Sequence, residues 1–403
     1  MNRLPVFFAA PHRMMFFTGA VNALLAMLFW SLDLGGRYAG FWTRPPWPLF
    51  EVLPAPWFHA VSMLGAVFPF FVFGFILTAG PRWQGVGDLP RRHYLPAYAL
   101  LASGWLLVWC ALVWPVLLAP GLALACVGWG AVALSLTLIA CRDALDRQHI
   151  VCAALAVTLG ACGLCAFLAQ VLGWSPGMRL GIALEVWGFL LPIFVTVAHR
   201  MLPFFTASAL RGYVLVRSSW PLHALLAASV IHGLLTWLEL PQWSAVVDLP
   251  AAGVAMYLSR LWWSPAVRGN RLLAVLHYAF GWLGPVFLLF GLQSLTGGGL
   301  GFAPLHALTL GFFASMMIGM VSRVTMGHSG RPLQIADSVM WRTFWLMQAT
   351  AVLRILAELP LADAAIRGVA MWGATVLWLA AFGYWATRYL AMYWRARADG
   401  KPG

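Results

Sequence analysis

Charge is what this sequence has least of. Only 9% of its 403 residues are charged, and only 12 of these are Asp or Glu. A soluble domain carries about 25% charged residues, so the composition excludes a soluble globular enzyme and a disordered chain. Hydrophobic residues make up 62% of the chain, and the solvent that tolerates such a surface is a lipid bilayer.

Lysine is also nearly absent. The chain has 24 arginines and one lysine, Lys401. These arginines lie between apolar runs, as in the cytoplasmic loops of membrane proteins, so the basic excess does not indicate nucleic-acid binding. The six cysteines lie within or at the ends of apolar runs. Cys162-x-x-Cys165 has no second such pair to complete a zinc site, so we interpret the cysteines as small core residues.

Long apolar runs are what the sequence has in place of charge. Stretches of about 20 apolar residues predict an all-α, polytopic bundle of about twelve transmembrane helices in one domain over 1–403. The first is a retained helix rather than a cleaved signal peptide. The predicted spans lie near 14–34, 58–80, 95–118, 120–141, 150–172, 179–200, 222–240, 246–264, 271–293, 303–324, 338–359 and 366–393.

The distribution of basic residues predicts the orientation of this bundle. With twelve spans, 20 of the 25 basic residues, Arg3 and Lys401 among them, fall on the side of the N-terminus, and five, including Arg44, fall opposite. Positive residues concentrate in cytoplasmic loops, so we expect both termini in the cytoplasm.

The ten histidines are the candidate metal ligands of this chain, because few other polar side chains occur in it. An outer candidate centre consists of His59 and His306, with Met63 four residues after His59 on the same helical face. Histidine and methionine are axial haem ligands. An inner candidate centre draws on imidazoles that suit copper as well as haem, namely His12, His199, His277 and His328. His306 and His328 are about 33 Å apart along a helix, so they do not share a metal.

Arginines flank the inner histidines. Arg200 follows His199, and Arg323 and Arg331 bracket His328. They are either ordinary cytoplasmic charges or groups that hold haem propionates through paired hydrogen bonds.

Three segments resemble the NnrS family: WFHAVSMLGAVFPFFVFGFILTAGPRWQG at 57–85, HRMLPFFT at 199–206 and HALTLGFFASMMIGMVSRVTMGHSGRPL at 306–333. The resemblance covers the whole chain, and its most specific part is S-R-x-x-x-G-H-x-G-R-P. It implies a bacterial cytoplasmic-membrane protein that contains haem and copper and that acts in nitric oxide metabolism, nitrosative stress and denitrification.

The resemblance carries His59, Met63, His306, Arg323, His328 and Arg331 over as site residues. Ser62 stands where the family commonly has an acidic residue, and His199 lies in a segment that the family varies. No His-His pair is present, unlike in haem–copper oxidases, and no Cys-x-x-Cys-His, so the haem is expected to be non-covalent.

Three functions remain open at this point. The first is binding or removal of nitric oxide or a nitrosyl–metal adduct, with an unidentified electron donor. The second is transport of a small solute or metal species, for which Glu185, the acid placed well inside a span, is the distinguishing residue. The third is assembly of metal cofactors into partner reductases.

Overall fold

The computed structural model describes residues 6–43, 45–142, 147–332, 338–359 and 363–400. Arg3, Arg44 and Lys401, which entered the charge count, lie outside these ranges. Within them the chain is helical and has no strand. Its helices are α1 Pro11–Ala39, α2 Ala55–Trp83, α3 Arg91–Cys110, α4 Pro115–Ala140, α5 Gln148–Val171, α6 Gly177–Ala209, α7 Ser219–Trp237, α8 Ala245–Trp262, α9 Arg271–Leu295, α10 Ala303–His328, α11 Ser338–Leu356 and α12 Ala364–Trp394.

Each predicted span overlaps one of these helices, so the all-helical membrane architecture is confirmed. Eight of the described helices are long and apolar enough to cross a membrane, and α3, α7, α8 and α11 are not among the eight. The count of twelve crossings and the cytoplasmic orientation therefore stay predictions. One boundary differs, because the span predicted at 95–118 ends at Cys110. Pro115, which lacks a backbone N–H, begins the next helix.

Three helices widen locally into π-helical turns in the described part of the chain. These turns are Met63–Val67 in α2, Leu184–Leu190 in α6 and Ala307–Ala314 in α10. A π turn replaces the i→i+4 hydrogen bond by i→i+5, is rare, and occurs frequently at functional sites. The three turns therefore mark places where the helix departs from its most stable form.

The structure divides into two compact units. The first contains 1–33, 42–193 and 390–403, and the second contains 34–41 and 194–389.

Glycines let α3 and α4 pack backbone to backbone in the first unit. A Cβ atom on Gly104 would lie 2.7 Å from both the Ala125 nitrogen and the Gly121 oxygen, and one on Gly121 would lie 2.8 Å from the Gly104 oxygen. Lipid-immersed helices associate through such close contacts, because burial of apolar surface gains little when the solvent is itself apolar.

An arginine joins the first helix to the end of the last one within the first unit. The buried Arg13 donates through Nη1 to the carbonyl oxygens of Tyr393 at 3.2 Å and Arg395 at 2.9 Å. Phe7 stacks on Trp394 beside it, with ring centroids 4.1 Å apart. Carbonyls at a helix C-terminus lack intrahelical donors and carry partial negative charge, which a guanidinium satisfies.

An aromatic ladder runs along α12 in the second unit. Trp378, Phe382, Trp385 and Tyr389 stack in sequence with centroids 4.8–5.1 Å apart, and all four are buried. Trp385 donates through Nε1 to Ser322 Oγ of α10 at 2.9 Å. This bond sets the rotation of α10, on which several candidate site residues lie.

Substitution of Gly104 by alanine should destabilise the first unit, because the new methyl group meets backbone atoms that cannot rotate away. Overpacking of this kind costs about 1–3 kcal/mol. Thermal unfolding in detergent measures the loss. Gly130→Ala on α4 is the matched control, because nothing lies within 4 Å of its Cβ position. Equal melting temperatures for the two variants would contradict backbone contact between α3 and α4.

Candidate functional site

His59 lies one turn into α2, where its ring stacks on the indole of Trp30. The ring centroids are 4.5 Å apart and the planes are inclined by 15°. The π turn begins at Met63, four residues later. Ser62, buried between them, donates its hydroxyl hydrogen to the His59 carbonyl at 3.0 Å. The stack holds the imidazole plane in a defined orientation.

His12 and Arg13 have different surroundings in the same unit. The His12 ring is buried, and its centroid is 6.0 Å from that of Phe16. Arg13 holds the end of α12. A structural role for Arg13 follows, and His12 remains a predicted metal ligand.

His306 lies in the first turn of α10 in the second unit. Its Nδ1 lies 2.9 Å from the carbonyl oxygen of Phe302, and a carbonyl only accepts, so Nδ1 carries the hydrogen. Nε2 is then the unprotonated nitrogen. A ring N–H bonded to a backbone carbonyl is the usual means by which proteins orient a metal-binding histidine. The π turn starts at the next residue, Ala307.

His277 is fixed by a hydroxyl group. Its Nε2 lies 2.9 Å from Thr206 Oγ1, and the same hydroxyl donates to the Leu202 carbonyl at 2.8 Å. Because a hydroxyl has one hydrogen, His277 Nε2 must donate to Thr206. The unprotonated nitrogen of this buried histidine is therefore Nδ1.

His199 is fixed in a similar way by a loop. Its Nε2 lies 2.9 Å from the Ser218 carbonyl oxygen, to which it donates, and its ring packs edge-on against Trp262. Trp262 in turn donates through Nε1 to the Val216 carbonyl at 3.1 Å. His199 thus holds the loop after α6, and Nδ1 is the nitrogen with the lone pair.

The S-R-x-x-x-G-H-x-G-R-P motif ends α10. The helix ends at His328, and Gly330 adopts a φ of 71°, in the left-handed region that favours glycine. The Arg331 N–H bonds to the Met326 carbonyl at 3.1 Å, and the Gly330 N–H bonds to that of Gly327 at 3.3 Å. This is a Schellman termination, so Gly330 has a structural role.

The arginines of the second unit differ in their partners. Arg323 lies over the Phe205 ring, with its guanidinium carbon 4.0 Å from the centroid. Arg331 has a buried Nη1 with no hydrogen-bond partner among the residues that the structure describes. Arg200, one residue after His199, is half-buried. A buried guanidinium nitrogen without a partner is suited to an anionic group such as a carboxylate.

The predicted ligands divide between the two units. His12, His59 and Met63 belong to the first, and His199, His277, His306 and His328 belong to the second. His306 and His328 lie at opposite ends of α10, as their spacing predicts. Across the described ranges, no three His, Cys, Asp or Glu side chains are close enough together to hold a metal ion.

A buried histidine–aspartate pair in the second unit was missed by sequence reasoning. His232 Nδ1 of α7 donates to Asp248 Oδ1 of α8 at 2.8 Å, and the Asp248 side chain is fully buried. The sequence did contain a signal for this pair, because a carboxylate such as that of Asp248 rarely occurs in a membrane helix without a partner.

Replacement of Thr206 by valine should leave the His277 N–H buried without an acceptor. An unsatisfied buried donor costs about 1–3 kcal/mol, so the melting temperature in detergent should fall. Thr158→Val is the control, because the Thr158 side chain faces outward and bonds only to the carbonyl of Ala154 in its own helix. If both variants melt alike, the assignment of the Nε2–H tautomer to His277 is wrong.

Comparison with known proteins agrees with the family resemblance of the sequence. No curated protein matches the chain. A family model described as NnrS protein matches residues 6–397. This match covers almost the whole length, with all the candidate ligands inside it, and the chain therefore belongs to the NnrS family.

Proposed function

We propose that this membrane protein binds haem and copper in the bacterial cytoplasmic membrane and uses them to bind nitric oxide and help remove it. The observation that carries the proposal is His306, whose Nδ1–H bond to the Phe302 carbonyl presents Nε2 as a coordinating nitrogen. Membership of the NnrS family supports the same function. Nitric oxide is apolar and enters lipid, so a centre within the membrane is well placed to meet it.

Each unit contains side chains of the types that bind haem. His306 offers an oriented imidazole in the second unit, and His59 and Met63 offer an imidazole and a thioether in the first. The buried Nη1 of Arg331, which has no partner among the described residues, fits a propionate oxygen of a haem bound near His328, at the opposite end of α10 from His306. Bound haem would supply an iron atom with an axial position for a diatomic gas.

Copper fits the imidazoles at the other end of the second unit. The hydrogen bonds of His199 and His277 make Nδ1 the coordinating atom of each. His328 lies at the end of α10, and imidazole is a ligand type that suits copper. The aromatic residues Trp262, Phe280 and Phe312 pack in sequence beside this region and keep it apolar.

Transport of a small solute or metal species is the second candidate function. The observation in its favour is that two carboxyl groups, Glu185 and Asp248, are fully buried within helices. Intramembrane ionisable groups commonly mark ion or proton pathways. If the protein is a transporter, Glu185→Gln should abolish coupled flux in vesicles. If it is a haem protein without transport activity, the wild-type protein should show no coupled flux either.

His306→Ala should remove the axial nitrogen and with it most of the bound haem. The visible spectrum of purified protein, oxidised, reduced and reduced with nitric oxide, measures this on samples also assayed for iron and copper. His59→Ala is measured separately in the same way. His223→Ala is the matched control, because His223 is exposed at the start of α7.

Wild-type protein should show a Soret band that shifts with nitric oxide, and His223→Ala should keep it. Full haem content and an unchanged spectrum in His306→Ala would exclude His306 as a ligand. A folded protein without metal or colour would overturn the haem proposal and favour transport or cofactor assembly.

Arg331→Gln should weaken the binding of a haem at the His328 end of α10. Loss of one charge-assisted hydrogen bond is worth about 1.5–3 kcal/mol, which corresponds to roughly a 10- to 100-fold faster loss of haem. Transfer of haem to excess apomyoglobin measures that rate. Arg342→Gln, at an exposed arginine of α11, should leave the rate unchanged. Equal rates in both variants would exclude a propionate contact at Arg331.

A further inference from the structure

Glu185 is the polar side chain of the first unit whose surroundings are hardest to reconcile with a structural role. It lies in the π turn Leu184–Leu190 of α6, and its side chain is completely buried. Neither carboxyl oxygen has a hydrogen-bond partner in the described residues. Buried polar groups are normally satisfied, so this one requires an explanation.

The atoms around the carboxyl group show that it is closely enclosed. A Cβ atom on Gly163 of α5 would lie 3.0 Å from Glu185 Cγ and 3.1 Å from Oε1. Any residue larger than glycine at 163 would press against the acid. The packing therefore keeps the carboxyl group at one place, against the backbone of the neighbouring helix.

No basic side chain of the described residues pairs with Glu185. The titratable groups that face it are the thiols of Cys165 on α5 and Cys126 on α4, which also contact each other. The π turn of α2, which also packs against that of α6, contributes none. A thiol is a weak hydrogen-bond donor and does not compensate a buried negative charge.

The charge state of the Glu185 carboxyl group follows from the lack of a positively charged or hydrogen-bond-donating partner among the described residues. An ionised carboxylate without a partner costs several kcal/mol in a protein interior and more in lipid, whereas a neutral acid costs far less. Asp248 shows the contrast, because His232 donates to it at 2.8 Å. Glu185 has no such donor among the residues that the structure describes, so it is stable there only with a proton bound.

The acid lies next to the helix that carries His59 and Met63. Gly163 touches Glu185, and the next residue, Leu164, has its Cδ1 atom 3.2 Å from the Cβ position of Gly65, in the π turn of α2. The π turns of α2 and α6 also pack directly against each other. A proton on Glu185 is therefore held one layer of side chains from the π turn of α2.

We propose that Glu185 is a proton-binding site inside the membrane, where it holds a proton at neutral pH beside the π turn of α2. Positive charge near that turn would stabilise the carboxylate and release the proton, and its removal would restore the acid. The proton site itself does not depend on any cofactor. Its use in nitric oxide chemistry rests on the proposed function.

Infrared spectroscopy tests the proton site directly, because a protonated carboxylic acid has a carbonyl stretch that a carboxylate lacks. The full-length protein in lipid nanodiscs is measured at neutral pH, where exposed carboxyls, with pKa values of about 4, are ionised. We expect a protonated-carboxyl band that shifts in D₂O. The band should be lost in Glu185→Gln and kept in the control variants Asp248→Asn and Glu51→Gln.

A second variant keeps the test valid if Glu185→Gln folds poorly. Gly163→Ala places a methyl group against Oε1, so it should move the frequency of the same band without abolishing it. Absence of the band from wild-type protein, a band that persists in folded Glu185→Gln, or a band that does not shift in D₂O would overturn the proposal.

Nitric oxide separates this proposal from the proposed function. In haem-containing protein, addition of the gas should change the Glu185 band, and His59→Ala should reduce that change. An unchanged Glu185 band on addition of nitric oxide to haem-containing protein would show that charge near the π turn of α2 does not influence the protonation of Glu185, and would overturn that part of the proposal. The band in a colourless, metal-free protein would support the proton site and overturn the haem proposal instead.

Discussion

Every backbone amide that lies in lipid must find its hydrogen-bond partner within its own chain, and this requirement explains the architecture. A chain with so few charges has no other polar surface to offer, so the described residues form helices throughout. The three π turns depart from this rule at a cost in hydrogen-bond geometry. Two of them contain Met63 and Glu185, and the third begins directly after His306, so each lies at a candidate ligand or a buried acid.

The S-R-x-x-x-G-H-x-G-R-P motif combines structural and chemical demands on consecutive residues. Ser322 accepts a hydrogen bond from Trp385, and Gly330 provides the left-handed residue that ends α10. Arg331 follows at the position whose N–H closes the termination. A motif recognised by family resemblance thus has a definite physical basis for Ser322 and Gly330.

Hydropathy and spacing predicted the helices well, because a span of apolar residues is a local property of the sequence. They predicted the opposite placement of His306 and His328 for the same reason. They did not predict the His232–Asp248 pair or the bonds that fix His277 and His199, since each joins residues from different parts of the chain. Arg13 shows the same limit, because its buried guanidinium binds the carbonyls of Tyr393 and Arg395, which lie about 380 residues away in the sequence.

The bond between Arg13 and the end of α12 also bears on how the protein is made. Its two partners are separated by about 380 residues, so the first unit contains both the beginning of the chain and residues 390–403. During synthesis α1 is made long before the C-terminal end of α12, so Arg13 has no carbonyl partner there until α12 has also been made. A chain truncated before Tyr393 would keep nearly all its helices and yet leave the buried guanidinium of Arg13 without these acceptors.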